Sequence, residues 1–96
     1  MKRFELILLQ GAQSDLLQIY SERGERAYLR VDRSLGILRI FPESGAIHLD
    51  ERIRRLVVAK TPLGVFYTVT EDRVLIGAVL DLRQSTKAIR KRLREL

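Results

Sequence analysis

The sequence has no cysteine and no tryptophan, and its 96 residues include one histidine, one methionine and two prolines. Without cysteine, a disulfide framework, a thiolate metal site and a cysteine nucleophile are all excluded. The lack of cysteine suits a reducing compartment, and no apolar run approaches the roughly 18 residues of a membrane span. The four-residue apolar run after Glu5 is too short for the core of a signal peptide. These features predict a soluble, cytoplasmic protein.

The length and composition fit one small globular domain. Domains usually contain about 50 to 200 residues, so we predict a single domain over residues 1–96. Hydrophobic residues make up 46% of the chain and charged residues 31%, a balance typical of a folded protein. The sequence contains no visible internal repeat or low-complexity segment.

The net positive charge is confined to the second half of the chain. Residues 1–50 contain seven Lys or Arg and seven Asp or Glu, whereas residues 51–96 contain eleven against five, which accounts for the whole net charge of +6. Six of these cations follow Asp81. Such asymmetry indicates an acidic partner, either a nucleic acid or an acidic protein segment. The alternative explanation is that these cations only form a solvated helix face.

The first half of the sequence predicts a strand followed by two helices. Residues 4–9 form a nearly continuous apolar run, typical of a strand buried on both faces. From Ala12 the apolar residues recur with helical spacing, and Gly24 is suited to the end of this first helix. A second helical pattern covers residues 25–40 and ends before Pro42, because the residue that precedes proline is pushed out of helical geometry. The two helices should form a hairpin with a very short turn.

The second half predicts three strands and a last helix. A loop over residues 46–50 leads into strands that are rich in β-branched and aromatic residues, and Ser85 is a suitable N-cap for the last helix. These elements cover residues 53–58, 65–69 and 74–80 (strands) and 86–96 (helix). The order β-α-α-β-β-β-α predicts an α+β fold, in which an N-terminal strand and a helical hairpin pack on a small antiparallel sheet.

Residues typical of catalytic and metal sites are scarce. His48 is the only histidine, so neither a histidine pair for a metal nor a histidine-based relay can form. The serines at positions 14, 21 and 34 lie in predicted helices, outside the context of a nucleophile elbow, and the scattered glycines form no phosphate-binding loop. We therefore expect no metal and no cofactor, and we interpret His48 as an exposed or half-packed loop residue.

Four segments in a fixed order resemble one known family. They are residues 41–45 (FPESG), 53–56 (IRRL), 64–69 (GVFYTV) and 76–83 (IGAVLDLR). Each segment alone is common, but their order in a basic chain of this length resembles the ParE/RelE superfamily of toxins from bacterial type II toxin–antitoxin modules. The resemblance covers about residues 3–94 and is greater to the ParE-like, plasmid-stabilisation branch than to the RelE branch.

This resemblance implies the fold predicted above and a growth-inhibiting function. Members are held inactive by a cognate antitoxin whose C-terminal segment wraps the toxin, and the charge of this chain leads us to expect an acidic and apolar segment. ParE-type members poison DNA gyrase, whereas RelE-type members cut messenger RNA in the ribosomal A site. The resemblance therefore favours a toxin that binds gyrase and is not an enzyme, and it allows a toxin homodimer within the toxin–antitoxin complex.

A ribonuclease of the RelE type would need cations at the scissile phosphate and groups that move protons. The resemblance places Arg54 and Arg55 at the positions of basic strand residues, and Arg83 at that of the arginine ending the last strand. Gly64 replaces a basic residue of that branch, and its C-terminal tyrosine or histidine has no counterpart here. Tyr67 is the one tyrosine of the predicted strands, and so the one group that could supply the proton transfer.

The cations fit a binding role better than catalysis. Arg54 and Arg55 point to opposite faces of one strand, so that one of them is open to a partner. The last helix carries four cations at i, i+3, i+4, i+7 spacing, which we call the cationic stripe: Lys87, Arg90, Lys91 and Arg94. Together with Arg83, these residues are predicted to bind acidic residues of the antitoxin. Two alternatives stay open, a RelE-like ribonuclease and an inactive protein-binding relative.

Overall fold

The computed structural model describes residues 2–48 and 50–95, and this part of the chain forms three α-helices and five β-strands. The order of the elements confirms the predicted α+β class and the predicted helical hairpin. In chain order the elements are β1 (Glu5–Leu8), α1 (Gln10–Arg23), α2 (Glu25–Ile40), β2 (Ala46–His48), β3 (Asp50–Val57), β4 (Leu63–Val69), β5 (Arg73–Asp81) and α3 (Thr86–Arg94).

The helical hairpin turns on a single residue between α1 and α2. Gly24 has a φ of 88°, in the left-handed region that glycine adopts without the steric cost of a Cβ atom. Its N–H donates to a carbonyl oxygen one turn back and so caps α1. The apolar residues of α2 recur at the predicted spacing, and Val31, Leu35 and Leu38 are buried in one cluster with strand residues. Helix α1 begins at Gln10, two residues earlier than predicted.

The strands form one sheet in the order β1-β5-β4-β3-β2. The pairs β2–β3, β3–β4 and β4–β5 are antiparallel, which is the arrangement expected of a meander. Strand β1 adds to the edge of this meander and runs parallel to β5. The N-terminal strand therefore belongs to the same sheet as the second half of the chain.

The predicted loop over residues 46–50 is in part a strand, and this prediction is wrong. Residues Ala46–His48 form β2, which pairs with β3, and β3 begins at Asp50 and not at residue 53. Strand β2 has only three residues, and its one large apolar side chain, that of Ile47, is exposed. So short a segment shows no alternation of apolar and polar residues, and the sequence therefore does not predict it as a strand. Leu49, within the predicted loop, and Leu96, at the end of the predicted last helix, lie outside the described residues.

The two faces of the sheet pack against different helices. On the hairpin face, the strands and helices α1 and α2 form the main core, in which Val65 and Ile76 are fully buried. On the opposite face, which we call the α3 face, Phe66 packs with Ile89 and Leu93 of α3. Side chains of one strand alternate between these two layers, so β3, β4 and β5 contribute to both.

A bulge in β5 changes which of its side chains face α3. The register between β4 and β5 shifts, so that Phe66 pairs with Ala78 whereas Tyr67 pairs with Ile76. Gly77 is therefore the extra residue. As a result, Ile76 and Ala78 lie in the two opposite clusters although they are only two positions apart. The bulge allows one strand to supply apolar side chains to both layers.

One carboxylate joins α1, β5 and α3. Strand β1 pairs with β5 only as far as Ile76, and beyond that point the N–H of Val79 donates to Asp15 Oδ2 at 2.9 Å. Arg92 of α3 donates to both oxygens of the same carboxylate, from Nη1 to Oδ1 at 3.0 Å and from Nη2 to Oδ2 at 2.9 Å. Asp15 is 8% exposed, and hydrogen bonding to it raises the pKa of Arg92. The charge of Arg92 is therefore used inside the fold.

The hydroxyl of Tyr67 holds the turn that follows α2. Tyr67 is 1% exposed, and its hydroxyl donates to the carbonyl oxygen of Pro42 at 2.7 Å and accepts from the N–H of Gly45 at 2.8 Å. The carbonyl oxygen of Gly45 in turn accepts from Arg54 Nη1 at 2.8 Å. Burial raises the pKa of Tyr67. We call these residues the turn network, and they fix the chain at the start of β2.

Replacing Tyr67 by Phe should lower the free energy of unfolding by about 1–3 kcal/mol, because two buried backbone groups lose their hydrogen-bond partner. Urea denaturation of the purified chain measures this change. Tyr20→Phe is the matched control, since Tyr20 is 54% exposed and its hydroxyl makes no hydrogen bond with the described residues. Equal unfolding free energies for the two variants would contradict the role of the Tyr67 hydroxyl.

Candidate functional site

A groove with a volume of about 680 Å³ lies on the α3 face, between α3 and the sheet. Its apolar floor consists of Leu9, Ile53, Leu75 and Leu93. Its cationic rim consists of Arg52, Arg90 and Arg94. An apolar floor beside positive charge suits a partner that is both apolar and acidic.

Local and long-range contacts hold α3 beside the groove. Ser85 Oγ accepts from the N–H of Ala88 at 3.1 Å, which confirms the predicted N-cap. Ile89 and Leu93 bury their side chains against the sheet and are 9% and 5% exposed. On another side of the helix, Arg92 reaches the carboxylate of α1 described above. These contacts fix both the position of α3 and its rotation about its own axis.

The cationic stripe lies on one exposed face of α3. All four of its side chains are exposed, and none of them forms an ion pair with an acidic side chain that the structure describes. Arg90 and Arg94 stand at the groove, whereas Lys87 and Lys91 lie farther round the helix. The groove thus receives two of the four stripe cations.

Arg54 and Arg55 lie on opposite faces of β3. Arg54 pairs in register with Tyr67 and belongs to the turn network on the hairpin face. Arg55 pairs with Phe66, whose side chain packs on the α3 face. Of these two predicted binding residues, it is therefore Arg55 that shares a face with the groove.

Arg83 is bound to an acidic neighbour at the far end of β5. Asp81 Oδ2 accepts from Arg83 Nη2 at 2.7 Å, and Arg23 of α1 pairs with the same carboxylate. The hydrogen bonds from Arg83, and then that from Arg23, hold the pKa of Asp81 well below its usual range. Asp81 pairs with the first residue of β4 and Arg54 with the fifth, so the two positions lie roughly 13 Å apart along the sheet.

The structure does not bring together the four residues that a RelE-type ribonuclease would use. Arg54 and Tyr67 belong to the turn network, where the tyrosine hydroxyl is enclosed, and the other two residues lie at separate places. A Cβ atom at Gly64 would lie 2.8 Å from Leu82 Cδ2. The position at which the ribonuclease branch carries a basic residue is therefore covered by an apolar side chain.

His48 lies in strand β2, on the side of the α3 face, and its assignment to a loop is wrong. Its imidazole packs edge-on against the ring of Phe66, with 5.4 Å between the ring centroids. Burial, followed by the charges of Arg55 and Arg90, lowers the pKa of His48 below its ordinary value of 6.5. The neutral imidazole is thus favoured beside two guanidinium groups.

Within residues 2–48 and 50–95, no three His, Cys, Asp or Glu side chains lie close enough together to hold a metal ion. No helix in the same part of the chain is long and apolar enough to cross a membrane.

Sequence reasoning missed the apolar floor of the groove and one of its rim arginines. Leu9, Ile53 and Leu75 come from distant parts of the chain and each fits an ordinary strand pattern, so no local signal marks them as a shared surface. Arg52 lies before the first predicted strand of the second half, because β3 begins earlier than the sequence predicts. Asp50, Glu51 and Arg52 are three charged residues in a row, so no alternation of apolar and polar residues assigns them to a strand.

The comparisons with known proteins bear on the fold. No protein-family description matches the sequence, and no curated protein is significantly similar to it. A chain in the structure of the chromosomal ParDE toxin–antitoxin (TA) system from P. aeruginosa is similar to this chain, with a TM-score of 0.69 and 18% sequence identity. The similarity covers 80% of this chain and 94% of that chain. The fold implied by the resemblance to the ParE/RelE superfamily is therefore confirmed.

The lowered pKa of His48 predicts a pH-dependent stability. Below pH 6.5 the unfolded chain binds this proton more readily than the native chain, so stability is lost as the pH falls toward the lower native pKa. From about pH 7.5 to pH 5, the wild-type chain should therefore lose more stability than His48→Gln. Urea midpoints measured at intervals across this range test the prediction. A difference between the two chains that stays constant with pH would contradict it.

Proposed function

We propose that this chain is the toxin of a type II toxin–antitoxin pair and inhibits growth by binding DNA gyrase. We propose further that a cognate antitoxin neutralises it by covering the groove on the α3 face, which gyrase also needs. The observation that carries the proposal is the groove itself, an apolar floor with a rim of three arginines. It lies on a fold shared with a chain of a ParDE TA system.

The groove supports an antitoxin segment that is both acidic and apolar. Leu9 in its floor is 37% exposed, and the half-buried Ile53 and Leu75 lie beside it, so apolar surface remains to be covered. Burying such surface contributes about 25 cal/mol per Å². Exposed charges contribute little one by one, but several cations around one groove orient an acidic segment and speed its association. Arg90 and Arg94 are suited to that role because no described acidic side chain pairs with them.

Inhibition of gyrase is proposed as binding, not as catalysis. General acid–base chemistry requires side chains that can donate and accept protons at the substrate. The groove rim carries guanidinium groups, which do not give up a proton near neutral pH. A toxin that acts by binding to its target needs no proton transfer. The resemblance to the ParE-like branch implies that this target is gyrase.

The ribonuclease alternative gains no support from the candidate residues. The hydroxyl of Tyr67 would have to leave Pro42 and Gly45 before it could reach a substrate, and two buried backbone groups would then lose their partner. Arg83 lies at the far end of β5, where Asp81 binds its guanidinium group. A catalytic role would thus require a rearrangement of the fold.

The function is tested by inducing the chain alone in bacteria and by adding the purified chain to purified gyrase. We expect growth arrest with double-strand DNA breaks and an SOS response, and we expect inhibition of supercoiling by gyrase in vitro. Site-specific cuts in messenger RNA, with intact DNA, would contradict the gyrase target and favour the ribonuclease. Normal growth in the chain's own host, in the absence of any antitoxin, would contradict the toxin function altogether.

The groove is tested in the same supercoiling assay with a charge-reversal pair. Arg90→Glu combined with Arg94→Glu should weaken inhibition by about tenfold or more, because both changes place negative charge at the rim. The matched control is Arg26→Glu combined with Arg33→Glu, which makes the same change in net charge on the exposed surface of α2. Equal losses of inhibition in both pairs would show that net charge, not the groove, is what matters.

A further inference from the structure

Three basic side chains from three different elements lie around the buried ring of Phe66. His48 of β2 packs edge-on against this ring, and Arg55 of β3 pairs in register with Phe66. Arg90 follows Ile89 of α3, whose side chain packs in one cluster with Phe66. The charges of Arg55 and Arg90 both act on the imidazole of His48. We call His48, Arg55 and Arg90 the basic cluster.

No acidic side chain that the structure describes neutralises the basic cluster. Arg55 is half-buried and Arg90 is exposed, and neither forms an ion pair with a described carboxylate. Arg92 of the same helix as Arg90 is, in contrast, paired with Asp15. Charged groups that are withdrawn from solvent are usually paired. The basic cluster therefore lacks an anion that the described part of the chain does not supply.

The two guanidinium groups oppose protonation of His48 in the chain alone. Burial, and then the charges of Arg55 and Arg90, lower the pKa of His48. The other neighbours add no charge, since β4 contributes the ring of Phe66 and β2 contains no second charged residue. An anion bound beside the guanidinium groups would offset their charge and accept a hydrogen bond from the protonated imidazole. Binding of an anion would thus favour the charged form of His48.

We infer that the basic cluster binds one oxyanion, a side-chain carboxylate of the acidic segment that covers the groove, and that His48 is protonated in the bound state. Arg90 belongs both to the cluster and to the groove rim, so the two sites are continuous. The inference rests on the proposed function for the source of the segment, whereas the anion site itself does not. Because protonation and anion binding are reciprocal, the anion binds more tightly as the pH falls through the titration of His48.

A carboxylate of a protein fits the basic cluster better than a phosphate of a nucleic acid does. The bases of single strands stack on accessible aromatic rings, whereas the ring of Phe66 is 0% exposed. Ile53 lies on the α3 face two positions before Arg55, so an apolar and a cationic side chain lie about 7 Å apart on one side of β3. Side chains on one side of an extended peptide have the same spacing. The cluster therefore favours a segment with an apolar and an acidic residue two positions apart.

Proton NMR of the purified chain tests the anion site directly, because His48 is the only histidine and its imidazole signals are thereby identified. His48 is titrated from about pH 4.5 to pH 8.5 in sodium sulfate and in sodium chloride of equal ionic strength. Sulfate keeps its charge over this range, and it should raise the pKa of His48 by about half a unit or more relative to chloride. Arg55→Gln should abolish the difference, whereas Arg33→Gln, the control at an exposed arginine of α2, should retain it. Equal pKa values of His48 in the two salts would overturn the inference.

Calorimetric titration tests the source of the anion with three probes. They are a short peptide with leucine and glutamate two positions apart, the same peptide with glutamine in place of glutamate, and a short oligothymidylate. The glutamate peptide should bind about threefold or more tightly at pH 5.5 than at pH 8, and His48→Gln should remove this dependence. The glutamine peptide should bind about threefold or more weakly than the glutamate peptide at pH 5.5.

Two results with these probes would overturn the inference. One is equal binding of the glutamate and glutamine peptides. The other is an oligothymidylate whose binding depends on pH and on Arg55 while that of the glutamate peptide does not, since this would assign the site to a nucleic acid. Neither measurement involves growth or gyrase. A chain that shows the sulfate effect but fails to arrest growth would therefore contradict the proposed function and leave the anion site established.

Discussion

The carboxylate of Asp15 is the constraint on which the arrangement of the two layers depends. Its oxygens accept from the backbone of Val79 and from both terminal nitrogens of Arg92, so one side chain joins the hairpin, the sheet and the last helix. Removing one partner of a fully buried ion pair costs about 3–5 kcal/mol, and the side chain of Arg92 is 33% exposed, so a cost at or below the lower end applies here. The groove exists because α3 is held in this position, with its cations beside an apolar floor.

Ion pairs within the chain engage two of the positive charges that follow Asp81. The sequence contains six cations after Asp81. Two of them are used within the fold, since Arg83 binds Asp81 and Arg92 binds Asp15. The four that remain are those of the cationic stripe, on the outward side of α3. The net charge of the second half therefore overstates the charge available for binding, and the structure concentrates what is left on one helix face, part of which borders the groove.

Local patterns in the sequence predicted most of the fold and little of the site. The helical spacing of α2, Gly24 between the helices and the Ser85 N-cap are all short-range features, and each is where the sequence places it. The groove depends on contacts that no local pattern contains, because Asp15 binds groups 64 and 77 positions away. A charged residue on the buried side of α1 resembles a break in the apolar pattern until its partners are known. The partners of the Tyr67 hydroxyl, Gly45 and Pro42, lie 22 and 25 positions away, so no local pattern predicts these hydrogen bonds. They make the hydroxyl a structural group of the turn network and not a free proton donor.

The central claim, that Asp15 holds α3 in place and so forms the groove, is tested most directly by amide hydrogen exchange. The measurement compares the amides of Ile89 and Leu93 in the wild-type chain and in Asp15→Ala, with Lys91→Ala as an exposed control on the same helix. The account predicts that Asp15→Ala lowers protection of both α3 amides by about tenfold or more, while the amide of Phe66 in β4 stays well protected and the control resembles the wild type. Unchanged protection of α3 in Asp15→Ala would contradict the claim.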